Sequence, residues 1–133
     1  MSLSFHIDYD GRCEEAFRFY AAHLGGTIGT MLRVAESPIP ASATRPGHHI
    51  VHANIRIDGV ELAGADVEAG RYAKPAGFYV LLGVDSDQKV DAYFDALQTD
   101  GQVIFAPQST FWSSRYAIVV DQFGVPWKIN RGT

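Results

Sequence analysis

The chain is short of cysteine, of positive charge and of long apolar runs, and each shortage removes a class of function. Cys13 is the only cysteine among 133 residues, so no internal disulfide can form and a reducing, cytoplasmic home is expected. Lys and Arg total 11 against 15 Asp and Glu, a formal charge of −4. No Lys/Arg stripe marks any segment, so nucleic acid is not an expected partner. No apolar run approaches the ~20 residues that cross a bilayer, so no membrane partner is expected. The first residues also lack a basic stretch followed by an apolar one, which predicts no export signal. What remains is 47% hydrophobic and 20% charged, the balance of an ordinary globular domain long enough to bury a core.

The order of elements repeats. Ser4–Tyr9 alternates polar and apolar residues as a half-buried strand does. After Asp10-Gly11, residues Cys13, Ala16, Phe17, Tyr20, Ala21 and Leu24 recur at helical spacing, and Gly25-Gly26 stops the helix. A short strand over about 27–34 and a Pro-rich loop over 35–47 follow. His49–Ile57 and Val60–Ala65 flank Asp58-Gly59, a dipeptide suited to the positive φ angles of a two-residue hairpin turn. Beyond a second loop, the spacing predicts a strand over Phe78–Val84, a helix over Asp87–Thr99 with Val90, Tyr93, Phe94 and Leu97 on one face, and a strand over Gln102–Phe105. Arg115–Val120 and Val125–Asn130 then pair across Asp-Gln-Phe-Gly. Two copies of a βαβββ unit, about 3–66 and 76–131, make one α+β domain over 1–133. A unit this small cannot cover both faces of its sheet, so the two units are expected to pair.

"DGRCEEAFRFY" (Asp10–Tyr20), "HANIRIDGVELAGAD" (His52–Asp66) and "TFWSSRYAIVVDQFGVPWKIN" (Thr110–Asn130) resemble the PhnB-like branch of the vicinal-oxygen-chelate superfamily. That superfamily contains glyoxalases, bleomycin-resistance proteins and extradiol dioxygenases. The resemblance implies curved mixed sheets enclosing a cup, a small-molecule ligand and a homodimer. Members of the branch often carry a 3-demethylubiquinone-9 3-methyltransferase label. Here no Gly-rich strand-to-helix turn exists to hold a nucleotide-bearing methyl donor. Metal-dependent relatives hold a divalent ion from strands one, four, five and eight. Carried over, strand four supplies Glu61 and strand five, counted back from Val84-Asp85, supplies Tyr79. Strand eight has Lys128 where a carboxylate is usual. Strand one offers Phe5 by counting, or His6 by alternation. No cofactor is therefore expected, and His6, His52 and Glu61 are the set a metal would need.

The hairpins suggest what fills the cup instead. The first turn pairs Ile57 with Val60, Arg56 with Glu61 and Asn54 with Ala63, placing His52, Asn54, Arg56 and Glu61 on one face. A register starting from Val120 and Val125 pairs Ala117 with Lys128 and Arg115 with Asn130, and puts these four together. Tyr79, Arg115 and Lys128 are then candidates to hold negative charge, and His52 or Glu61 to move a proton. Candidate ligand contacts are His6, Asn54, Arg56, Trp112, Arg115 and Lys128. Plainer readings stand beside these: Trp112 and Trp127 as core, Arg56–Glu61 as a cross-strand ion pair, Lys128 reaching a rim, and His52 as a structural histidine. Three functions stay open: a protein or metal-free enzyme holding a small polar or anionic organic molecule, a metal-dependent glyoxalase- or dioxygenase-type enzyme, and a non-catalytic sequestering protein.

Overall fold

Strand, helix and three strands follow one another twice along the chain. The computed structural model describes residues 1–132, and backbone packing divides them into two units, Met1–Ala73 and Lys74 onward. The first unit runs β1 (Phe5–Tyr9), α1 (Cys13–Leu24), β2 (Thr27–Arg33), β3 (Ile50–Ile57) and β4 (Val60–Asp66). The second runs β5 (Val80–Val84), α2 (Asp87–Gln98), β6 (Gln102–Gln108), β7 (Tyr116–Val120) and β8 (Pro126–Arg131). Each unit forms a four-stranded mixed sheet, ordered β1-β4-β3-β2 and β5-β8-β7-β6. In each, the first strand lies parallel to the last and the remaining neighbours are antiparallel. The α+β fold expected from the repeat is thus observed.

In the first unit the apolar stripe of α1 meets one face of its sheet. Cys13, Ala16, Phe17, Tyr20 and Leu24 are buried on the helix, with Ile7, Tyr9, Ala53, Ile55 and Leu62 beneath them. Tyr9 and Phe17 meet edge to face with centroids 5.9 Å apart, and Tyr9 donates its hydroxyl to Tyr20 at 3.2 Å. Such buried aromatics each supply roughly 1.5–3 kcal/mol of transfer free energy. Asp66 ties the helix to the sheet. One carboxylate oxygen accepts from Cys13 N at 3.0 Å and the other from Ile50 N at 2.8 Å. Gly25 ends the helix in the left-handed conformation, φ 72°.

This packing makes a prediction about the single thiol. Burial, with the Asp66 and Glu14 carboxylates beside it, pushes the Cys13 thiol far above the usual range. Native protein at pH 8 is expected to leave Cys13 unreacted toward a soluble disulfide reagent, with full reaction in denaturant. Rapid labelling of the folded chain would contradict the packing of α1.

The second unit follows the same plan. Ser86 caps α2, accepting from Lys89 N at 3.2 Å. Val90 and Leu97 are buried on the helix, and Ala117, Val119, Trp127 and Ile129 are buried on the sheet. The remaining two residues of the expected helical stripe, Tyr93 and Phe94, are half-buried. β5 begins at Val80 rather than Phe78, and β6 extends to Gln108 rather than Phe105. Both antiparallel edge strands are irregular. The register shifts between Ile28 and Met31 and again between Leu32 and Arg33 in β2, and between Val103, Phe105 and Gln108 in β6.

Candidate functional site

The first hairpin has the register its turn predicts. Asp58 and Gly59 take φ 49° and 76°, and Ile57–Val60, Arg56–Glu61 and Asn54–Ala63 pair across β3 and β4. His6, Asp8, His52, Asn54, Arg56 and Glu61 therefore share the face away from α1. Most are already engaged. His6 Nε2 lies 3.1 Å from Asp8 Oδ1. Asn54 Oδ1 accepts from Thr30 N at 2.7 Å, filling the irregularity of β2 where Gly29 leaves it room. Arg56 donates to the Gly59 carbonyl at 2.9 Å and stands 4.0 Å from Glu61. His52 is exposed without a hydrogen-bond partner among the described residues.

The second hairpin corrects the sequence reading. Val120 pairs with Pro126, Ile118 with Lys128 and Tyr116 with Asn130. The turn is one residue longer than expected, because Asp121 N donates to the Val125 carbonyl and Gly124 N to that of Asp121. A shift of one residue moves a whole strand's side chains to the other face. Arg115 therefore does not join Lys128. It reaches α2 instead, with Nε 2.6 Å from Asp91 Oδ1. Ile118 and Tyr116 take the places expected for Ala117 and Arg115.

The face of this sheet away from α2 thus carries Lys128 and Asn130 on β8, Tyr116 and Ile118 on β7, and Leu81 and Gly83 on β5. Phe105 of β6 pairs with Ile118 and lies 6.0 Å from Tyr116. Trp112, half exposed in the loop before β7, meets Tyr116 edge to face at 5.2 Å. Trp127 is fully buried on the other face, where its core reading places it. Tyr79 lies just before β5, and its ring receives Lys128 Nζ at 4.3 Å from the centroid. Lys128 is half-buried and no carboxylate pairs with it among the described residues. Asn130 was not among the sequence candidates. Its signal was available: it stands two residues from Lys128 on a strand, hence on the same face.

The ladders also show which of these positions share a face. Lys128 lies three residues before Arg131, the last residue of β8 paired with β5. The residue three before Val84 is Leu81, and the matching positions before Asp66 and Tyr9 are Ala63 and His6. The register moves the strand-four position from Glu61 to Ala63 and the strand-five position from Tyr79 to Leu81, and selects His6 over Phe5 in strand one. Within the first sheet Ala63 offers no ligand beside His6, and within the second neither Leu81 nor Lys128 is a donor a divalent ion would choose. The set His6, His52 and Glu61 does not converge either. Arg56, the partner of Glu61, lies four residues along β3 from His52, ~13 Å in a strand. Zinc ligands, at ~2.0–2.2 Å from the ion, must gather far closer. Among the described residues no three His, Cys, Asp or Glu side chains form a metal-holding group.

Two βαβββ units with this strand order define a glyoxalase-like protein. The chain belongs to the Glyoxalase/Bleomycin resistance protein/Dioxygenase superfamily, whose family model matches residues 6–129. It is 31% identical to protein YjdN of Escherichia coli strain K12, an alignment covering 98% of this chain and 95% of YjdN. The crystal structure of PA1353 from Pseudomonas aeruginosa superposes with a TM-score of 0.91 at 32% identity, covering 99% and 98% of the two chains. A PhnB protein from Bacillus cereus, labelled a 3-demethylubiquinone-9 3-methyltransferase, shares the fold with a TM-score of 0.83 at 21% identity, covering 99% and 100%.

Proposed function

We propose that the chain binds a small anionic organic molecule on the open face of its second sheet, with Lys128 as the anchor. The observation that carries this reading is the half-buried Lys128 ammonium, set over the Tyr79 ring and lacking a carboxylate partner among the described residues. Removing a cation from water is costly unless an opposite charge replaces the lost hydration. The ring quadrupole stabilises the ammonium without neutralising it. A carboxylate or phosphate group of a ligand supplies both charge and acceptor. Leu81, paired with Lys128, presents apolar surface beside it, and Trp112, packed on the buried Tyr116, presents aromatic surface farther along. Arg115, committed to Asp91, takes no part in this reading.

Binding in this reading needs no divalent ion, and chelator-treated protein is expected to bind as well as untreated protein. The test is a calorimetric screen of small carboxylates and phosphate esters on the wild type and on Lys128→Gln. Loss of one charge-assisted contact is worth about 1.5–3 kcal/mol, so Lys128→Gln is expected to weaken any hit roughly ten- to a hundredfold. Hits that bind the variant unchanged would remove Lys128 from the site.

A further inference from the structure

We infer that the ligand bears a hydroxyl group several bonds from its anionic group, and that Asn130 is the residue that reads it. This rests on Lys128 as the anion anchor and adds a second point of recognition. Asn130 Oδ1 is buried and has no hydrogen-bond partner among the described residues. Nearly all buried polar atoms in folded proteins are paired, so an acceptor enclosed without a partner points to one brought by another molecule, met as the amide turns outward. The neighbouring positions do not supply one. Asn130 pairs with Tyr116 on β7 and with Gly83 on β5.

Gly83 is the second, independent observation. It sits inside a strand, where glycine weakens the ladder and often marks close approach by another group. Its φ is not in the left-handed region, so no turn demands it. A Cβ built there meets nothing within 4 Å. The missing side chain therefore leaves open space at the strand position paired with Asn130. Lys128 lies one step along the same face, ~7 Å away at the backbone, and its ammonium leans toward Tyr79, away from Asn130. An anionic group at Lys128 and a polar group at Asn130 consequently belong to opposite ends of a short chain. A hydroxyl suits the second end, because it can donate to Oδ1 or accept from Nδ2 and so satisfies the amide in either orientation.

Matched pairs of acids test this: 4-hydroxybutyrate against butyrate, and 6-hydroxyhexanoate against hexanoate, titrated calorimetrically into the full chain. At least one hydroxy acid is expected to bind about tenfold tighter than its parent. Asn130→Leu is expected to bring that ratio to about one without lowering Tm, since it removes an unpaired polar atom. Gly83→Leu, whose Cβ meets nothing within 4 Å, is expected to abolish the preference while remaining folded. Equal affinity for acid and hydroxy acid in the wild type would overturn the inference and leave the anchor standing. So would a preference that survives Asn130→Leu, or a Tm for that variant several degrees below wild type. Failure of all four acids to bind the wild type would overturn the anchor, and this inference with it.

Discussion

Asp121→Ala is expected to destabilise the protein by about 3–5 kcal/mol, a large share of the ~5–15 kcal/mol that holds a typical domain folded. Asp121 is buried, and its side chain organises the loop between β7 and β8. Oδ1 accepts from Phe123 N and Val125 N, each at 2.9 Å, and Oδ2 accepts from Trp127 Nε1 at 2.9 Å. Alanine leaves these donors without that acceptor, in a place water cannot reach, at roughly 1–3 kcal/mol each before relaxation. Asp121→Asn keeps one oxygen for the backbone and turns an amide toward the indole, so a smaller loss is expected. Denaturant titration of both variants measures the difference. An alanine variant within about 1 kcal/mol of wild type would show that the loop does not depend on this carboxylate. The functional stake is register, because a one-residue slip of β8 would exchange the places of Lys128 and Trp127.

Gly101→Ala should be nearly as damaging, for a different reason. Gly101 joins α2 to β6 with an ordinary φ, so left-handed strain is not involved. A Cβ there falls against the carbonyl oxygen of Val120, 3.0 Å from that of Leu97 and 3.2 Å from Asp121 Cα. All three are backbone atoms and cannot rotate aside. Overpacking against backbone is expected to cost about 3 kcal/mol, roughly 10 °C in Tm for a chain of this size. Gly25 is the control. Alanine there meets no neighbour within 4 Å and faces only the conformational penalty of φ 72°, about 1 kcal/mol. A Gly101→Ala variant as stable as Gly25→Ala would refute the close approach. Because Gly101 lies against Asp121, the two large losses belong to one corner and should combine less than additively.

Much of the architecture could be read from residue pattern because the responsible signals are local. The α1 stripe, its Gly25 stop and the Asp58-Gly59 turn each act within a few residues, and all appear where expected. The second hairpin was misread because its turn is built by a side chain. Asp121 stands in for a backbone acceptor, as Asp does in turns, and residue type alone did not reveal the extra residue in the loop. A loop one residue shorter would place Arg115 beside Lys128, whereas the folded chain gives it to Asp91. Tyr79 and Lys128 are each named by the family resemblance, and the structure adds their contact, with Tyr79 standing before the strand rather than within it. Asn130 was harder to see, since what distinguishes it is an absent partner, a property only coordinates display.

The broken ladders of β2 and β6 bear on how this chain behaves when crowded. Val103 and Ile104 are both exposed on β6, and on a flat edge such residues would invite a second molecule to add its own strand. Here Ile104 falls inside the register shift between Val103 and Phe105, and an extra residue of this kind bends a strand and increases its twist. An incoming backbone meets an interrupted template rather than a continuous one. The defect in pairing is thus a safeguard against fibre growth, placed where the apolar edge most requires it.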